Sequence, residues 1–324
     1  MQPFSYSKMK PGLWSGFFVC GLLALTASGC GDAPANSPGS AGRPVQRIDA
    51  GRLENKDIDE ASGLAWSARE DDLLWTHNDS GDKARLYALG MHGEARGRIK
   101  LKNSDNRDWE DIASFTLDGE PYLLVADIGD NESRREYLTL YVIAEPDLAS
   151  DSKVSLEPAW RINFTYPEGP RDAEAIAVDT ERGLVLIITK RDLPARLYEV
   201  PLQPANDDIV LAKRGPDMRT LPQPQRNDVA TAPMSKDWHW QPTAMDIAHD
   251  GEALIIMTYS AIYYFARADS PDWSQALQQS PLALQLNNLP NAEAAALSPD
   301  SQSILVTVEK KHAPLLRIDF KDRQ

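Results

Sequence analysis

Hydrophobic and polar positions along the chain fall into one pattern that recurs five times. Each copy begins on an acidic or amide residue, passes through small apolar residues, turns, and enters a buried run that ends on a polar residue. The lead-ins are EASGLA from Glu60, DWEDIA from Asp108, DAEAIA from Asp172, TAMDIA from Thr243 and NAEAAA from Asn291. The runs are LLWTH ending at His77, LLVAD at Asp127, LIITK at Lys190, IIMTY at Tyr259 and LVTVE at Glu309. From Leu64, Ile112, Ile176, Ile247 and Ala295 to the run's end is 12 to 15 residues. That length suits two strands and a tight turn. Turn residues sit where they are needed, as Asp118-Gly119, Arg182-Gly183, Asp250-Gly251 and Pro299-Asp300.

A third strand follows in every copy, carrying Tyr87, Tyr141, Tyr198 and Tyr263 in the first four and spanning Leu315 to Phe320 in the last. Fourth strands are expected at Arg98–Leu101, Trp160–Phe164, Ile209–Leu211 and Leu282–Leu286. The fifth copy has no fourth strand after it, and Val45–Asp49 offers a spare one. The pattern therefore predicts an all-β protein, a β-propeller of five four-stranded blades closed by an N-terminal strand. Closure pairs edges that an open stack would expose. The interval 199–242 has room for a sixth blade, yet its prolines at 201, 204, 216, 222, 224 and 233 argue for a loop. One short helix is expected between Asp272 and Gln279.

The first residues follow another rule. Lys8 and Lys10 precede an apolar stretch from Leu13 to Leu25, too short to span a bilayer, and Ala27-Ser28-Gly29 leads to Cys30. This resembles the bacterial lipobox, which implies a lipoprotein signal peptide at 1–29 and a lipid anchor on Cys30; a plain secretory signal is the alternative. Residues 30–44, rich in Gly, Pro, Ala and Ser, read as a flexible tether, and 45–324 as the propeller domain. The expected location is the bacterial cell envelope, with the outer membrane, facing the periplasm, favoured because Gly31 rather than Asp follows the cysteine.

Composition narrows the partners. With 34 Lys+Arg against 48 Asp+Glu the net charge is −14, and removing residues 1–29 takes it to −16. Such a surface repels phosphate backbones, which excludes nucleic acid and favours cations or basic segments. A 42% apolar share excludes wholesale disorder. The two cysteines, Cys20 and Cys30, cannot build a disulfide framework.

In a propeller the innermost strands begin at one mouth of the channel and the second strands return there. Three columns then meet at that mouth: Glu60, Asp108, Asp172, Thr243 and Asn291; Ser62, Glu110, Glu174, Met245 and Glu293; His77, Asp127, Lys190, Tyr259 and Glu309. Eight carboxylates converge, with Lys190 and His77 as the expected counter-charges. Such a crowd either holds protons or holds a cation, and all-oxygen ligands suit Ca²⁺ before Mg²⁺. The loops NDSGD from Asn78 and DIGDNE from Asp127 add further oxygens. The alternative is that these acids cap turns and join blades through backbone amides. His77 is the candidate catalytic base, with a raised pKa if it faces Asp79 or Glu60; otherwise it is a hydrogen-bonded channel residue. Trp238-His239-Trp240 either stacks on a sugar or folds back over the mouth.

The strings LLWTHNDSGD, DWEDIA, ADIGDN and DAEAIAVD resemble a group of uncharacterised bacterial secreted and lipid-anchored β-propeller proteins over most of 57–320. More distantly, EASGLAW from Glu60 is similar to the gluconolactonase, calcium-dependent phosphotriesterase and esterase-like phytase propellers. That resemblance implies a channel-mouth Ca²⁺ acting on a lactone or phosphoester, with Glu60, Asp127 and Glu309 as the first ligands to test. The asparagine ligands of those enzymes have no clear match here, and their blade number differs. Two functions stay open. One is a binding or scaffold module for a basic protein segment, a glycan or another partner; the other is a calcium-dependent hydrolase of small esters, lactones or phosphoesters.

Overall fold

The computed structural model describes residues 45–148, 152–223, 239–286, 289 and 291–320. The signal peptide, Cys30, the tether and Trp238 lie outside the described residues. Strands are numbered in chain order. The first blade is built from β2 (Ala61–Trp66), β3 (Leu73–Asn78), β4 (Arg85–Gly90) and β5 (Ala95–Leu101). The second uses β6 (Trp109–Leu117), β7 (Glu120–Asp127), β8 (Leu138–Ala144) and β10 (Trp160–Thr165). The third is β11 (Ala173–Asp179), β12 (Leu184–Thr189), β13 (Arg196–Pro201) and β15 (Lys213–Asp217). The fourth is β16 (Pro242–Ile247), β17 (Ala253–Thr258), β18 (Ala261–Ala266) and β19 (Leu282–Gln285).

The fifth blade contains β20 (Ala292–Leu297), β21 (Ser303–Val308) and β22 (Pro314–Phe320). Its outer strand is β1 (Val45–Arg52), which runs antiparallel to β22 from Val45 opposite Phe320 to Arg52 opposite Pro314. The fold is thus a five-bladed propeller whose first and last described strands share one sheet. No described helix is long and apolar enough to cross a membrane. The short helix, α1 (Trp273–Ala276), is capped by Asp272, which accepts from the Gln275 N–H at 2.8 Å.

Two details differ from the pattern. Val210–Leu211 forms β14, but it pairs parallel with β10 of the second blade, and the third blade closes with Lys213–Asp217. The chain overshoots into a neighbouring sheet before returning. A similar strand, β9 (Ser152–Leu156), adds parallel to β5 of the first blade. Both cover an outer edge that would otherwise present unpaired backbone groups.

The centre of the ring is crowded, and its sequence is correspondingly small. Alanines dominate β11 and β20, and Gly63 sits in β2. A Cβ at Gly63 would lie 2.7 Å from His77 Nε2 and 2.8 Å from the Ile112 nitrogen, so the neighbouring blade approaches where only glycine fits. Larger residues fill the spaces between blades: Leu74, Leu124, Ile187, Ile255 and Leu305 are all fully buried.

Every innermost strand carries one register break, between Ala61 and Gly63, Trp109 and Asp111, Ala173 and Ala175, Pro242 and Ala244, and Ala292 and Ala294. These are β-bulges, in which one residue drops out of the pairing and its side chain is re-aimed. The displaced residues are Ser62, Glu110, Glu174, Thr243 and Glu293. Just inside, Asp111 ties blades together: its carboxylate accepts from Ile112 and Ile176 N–H at 2.9 Å each and from Met245 N–H at 3.2 Å. Asp246 does the same between the fourth and fifth blades, accepting from Leu297 N–H at 2.8 Å.

Burial pushes the Asp246 carboxyl up to about 8 from 3.8, against the lowering effect of the Leu297 N–H. A raised folded-state value means that Asp246 contributes stability when protonated, below 3.8, and that this is lost as pH rises through about 8. The Asp246 contribution to the unfolding midpoint is therefore expected to fall between about pH 4 and about pH 8 and to level off above that. Asp246→Asn keeps an acceptor for Leu297 and lacks the charge, so its thermal melts should show a flatter fall. Identical slopes for both proteins would refute this role.

Candidate functional site

The bulges fix which residues are equivalent, and the equivalence differs from the one read along the sequence. The backbone nitrogens of Asp79, Gly129, Lys190 and Glu309 donate to Glu60, Asp108, Asp172 and Asn291 respectively. Tyr259 follows Thr258, which pairs with Pro242, and so holds the same place in the fourth blade. The second-strand column at the mouth is therefore Asp79, Gly129, Lys190, Tyr259 and Glu309. In the fourth blade the first two columns are Gln241 and Thr243 rather than Thr243 and Met245.

His77 is the consequential correction. It pairs with Gly63 inside the first blade and is fully buried. Its ring meets Trp109 edge-on at 5.7 Å and its Nδ1 lies 3.0 Å from the Asn78 carbonyl. Burial lowers its pKa to about 4, outweighing two backbone hydrogen bonds that raise it. Of the two readings of His77, a base with a raised value or a hydrogen-bonded residue, these surroundings match the second. The run ends on a polar residue in sequence, but this polar residue is core.

At the mouth itself Asp79, Asp108 and Glu110 each present an oxygen within 4.8 Å of the others. Asp79 follows β3, and Asp108 and Glu110 flank the start of β6. Glu110 is 4% exposed, yet no described donor reaches its carboxylate and no described cation lies within 4.0 Å of the three acids. Gly129 stands where the other blades place a side chain. A Cβ there would come closer than 3.0 Å to both Glu110 Oε1 and Asp108 Oδ2, so the missing side chain makes the space that the two carboxylates occupy.

Burial pushes Asp108 up to about 6, helped by the charges of Asp79 and Asp172. It drives Glu110 well above the usual carboxylate range, again with Asp79 and Asp108 adding repulsion. Asp79 is raised by the same burial and by Glu293. These groups resist ionisation for want of a positive partner. The set fits a hard cation: three carboxylate donors, one buried and unsatisfied, held close together.

The other acids have different surroundings. Asp127 pairs with Arg135 at 2.7 Å and accepts from Asp108 N–H at 3.3 Å. Asp172 pairs with Arg191 at 2.6 Å and accepts from Asp130 N–H at 2.9 Å. Glu174 pairs with Lys190. Arg135 and Arg191 thus join Lys190 as counter-charges, and His77 is not one. Glu293 accepts from Tyr259 OH at 2.6 Å. Glu309 beside it is pushed up to about 7 by burial and by the charges of Glu293 and Asp79. Glu60 is exposed and stands outside the three-acid group. Of the eight carboxylates, the structure gathers Asp108 and Glu110 around a residue outside that list, Asp79. Its signal was the NDSGD string, which marks an oxygen-rich loop.

No protein-family model and no curated protein sequence matches the chain. Among solved structures it is similar to a luciferin-regenerating enzyme, with a TM-score of 0.42 and 10% sequence identity, over 86% of this chain and 95% of that one.

The space at Gly129 is open to test. Gly129→Ala is expected to lower stability in denaturant titrations by about 1–3 kcal/mol, the usual cost of overpacking a filled site. A variant as stable as the parent would show that the two carboxylates do not depend on this gap.

Proposed function

We propose that the protein is a lipid-anchored envelope β-propeller that works as a binding module, with a divalent cation, Ca²⁺ foremost, held at the channel mouth by Asp79, Asp108 and Glu110. The observation that carries the reading is Glu110, a residue 4% exposed whose carboxylate has no donor among the described residues, converging with two other acids. An acid kept in that state costs stability unless a ligand relieves it. Three protein carboxylates leave most of a calcium coordination sphere for water, backbone carbonyls or a ligand's oxygens. When bound, the ion would supply a fixed positive charge that draws the oxygens of a ligand to the mouth. Basic segments and glycans remain the partner classes that the acidic surface suits. Cys30 would hold the domain at the membrane, facing the periplasm, with residues 30–44 as the tether.

One observation favours a second reading, the calcium-dependent hydrolase of small esters, lactones or phosphoesters. Glu309, pushed up to about 7, has the value a general base needs near neutral pH, and it sits on the same mouth. Its Tyr259–Glu293 neighbours would orient it, while His77 has no part in this reading.

Calorimetric titration tests the cation. Ca²⁺ is expected to bind, to raise the melting temperature in an EDTA-reversible way, and to bind at least about tenfold more weakly to Glu110→Gln and Asp108→Asn, some 1.4 kcal/mol. Affinity unchanged in both variants would remove the site. The same samples assayed against small esters, lactones and phosphoesters decide between the readings: Ca²⁺-dependent turnover lost in Glu309→Gln supports the hydrolase, and no turnover leaves the binding module. For the anchor, Cys30→Ser is expected to shift the protein from the membrane fraction to the soluble fraction. Unchanged membrane association would overturn the anchor.

A further inference from the structure

Asp127 also lines a cavity of about 330 Å³ that the cation reading does not use. Its lining includes Arg107, Asp127, Arg135, Tyr137 and Tyr141. The size is within the range of small-ligand pockets. Arg135 is the unusual member. It is 7% exposed, and its Nη1 donates to Asp127 Oδ1 at 2.7 Å and to the Gly129 carbonyl at 2.8 Å. Its Nε is buried with no acceptor at all, and Nη2 has none among the described residues. One edge of the guanidinium is therefore satisfied and the other is idle.

An idle donor edge on a buried arginine is costly, since a buried N–H without an acceptor forfeits its hydrogen bond to water. It also has a definite shape. Nε and Nη2 form a planar fork that matches two oxygens of a carboxylate or phosphate; Nε is sealed from solvent, so an oxyanion meets Nη2 first and takes the whole fork as the side chain shifts outward. Arg107, exposed on the same cavity wall, has no ion-pair partner among the described residues. Asp105 and Glu136 also line the cavity, but neither comes within ion-pair distance of Arg107 or Arg135. Arg134 is taken by Glu132 at 2.5 Å. Tyr137, 45% exposed, offers ring surface beside the two arginines, while Tyr141 is buried with Arg161 over its ring and Trp109 against it.

We propose that this cavity is an oxyanion subsite, in which Arg135 and Arg107 receive the carboxylate or phosphate of a small ligand whose apolar body lies against Tyr137. The subsite stands on residues other than the three acids and does not need the cation. The overall acidity of the mouth makes it selective, because only a group that engages both arginines overcomes the surrounding negative field.

The probes are phenyl phosphate and benzoate, with benzyl alcohol as the uncharged control, titrated by calorimetry and ligand-observed NMR. Each titration is run in Ca²⁺ and again in EDTA. At least one of the two oxyanions is expected to bind in both conditions, benzyl alcohol is not, and which oxyanion binds more tightly identifies the ligand's acidic group. Arg107→Gln, an exposed change that leaves the fold alone, and Arg135→Lys, which keeps a charge for Asp127 and removes the fork, should each weaken binding at least tenfold. Neither should alter Ca²⁺ affinity by more than twofold. No oxyanion binding to the parent protein would overturn the proposal, as would binding that both variants retain. Binding seen only in Ca²⁺ and indifferent to both arginines would also overturn it, because the ligand would then sit on the cation. Absence of Ca²⁺ binding with oxyanion binding intact would sink the cation reading and leave this one standing.

Discussion

One extra residue at the start of each innermost strand organises the mouth of this propeller. In an unbroken strand alternate side chains share a face, so a residue at the channel rim is followed by one committed to the space between blades. The bulge interrupts that alternation where five strands converge. In the second blade it frees two neighbouring acids for two tasks. Glu110 leaves the pairing and joins Asp79 and Asp108, while Asp111 reaches across the shaft to backbone amides of the third and fourth blades. The same break that exposes a potential ligand set also locks the ring behind it.

Repetition of the backbone makes variation of the side chains informative. At one equivalent position the blades carry Asp79, Gly129, Lys190, Tyr259 and Glu309, and no two are alike. The third blade neutralises itself, since Lys190 and Arg191 answer Glu174 and Asp172. The fourth contributes hydroxyls and an amide. In these columns the first, second and fifth supply Glu60, Asp79, Asp108, Glu110, Glu293 and Glu309, none of them within 4.0 Å of a cation among the described residues. A fivefold scaffold thus holds a strongly one-sided charge distribution, and fold symmetry alone does not produce it. The glycine is part of that asymmetry, since it makes room for the acids of its own blade.

The architecture was legible because it rests on spacing. Strand pairs at 12 to 15 residues, a tyrosine in four third strands and a spare N-terminal strand are all periodic signals, and periodicity survives without contacts. The site was less legible, for three physical reasons. A polar residue at a run's end reads as a rim residue, whereas the His77 ring is sealed against Trp109 and the rim residue of that blade is Asp79. A bulge shifts register by one without any mark in the sequence, which displaced the fourth blade's columns. Arg135 and Arg191 come from loops that share no pattern with their counterparts, so the ion pairs that remove Asp127 and Asp172 from the unpaired set could be found only in three dimensions. The overshoot of Val210–Leu211 onto the second blade belongs with these, because strand pattern says nothing about which sheet receives a strand.

The acids that join blades differ from Asp108 and Glu110 in their donors, while Asp79 accepts the Ser80 N–H. Asp111, Asp246, Asp127 and Asp172 all accept backbone N–H groups, and the last two also hold arginines; each is accounted for by the blades it joins. Glu110 and Asp108 have no such donors to their carboxylates, though one is buried and the other half-buried. A turn-capping role explains the first group fully and the second not at all, since a cap is defined by the amide it satisfies. The idle edge of Arg135 is the same situation with the sign reversed. An unsatisfied acceptor cluster and an unsatisfied donor fork stand on either side of Asp127, which already serves Arg135 and the Asp108 amide and so cannot serve either. Burial answers the first by pushing Asp108 and Glu110 toward their protonated forms, and the ion pair with Asp127 answers only one edge of the second. The proposed cation site and the proposed oxyanion subsite rest on these two incompletely partnered groups.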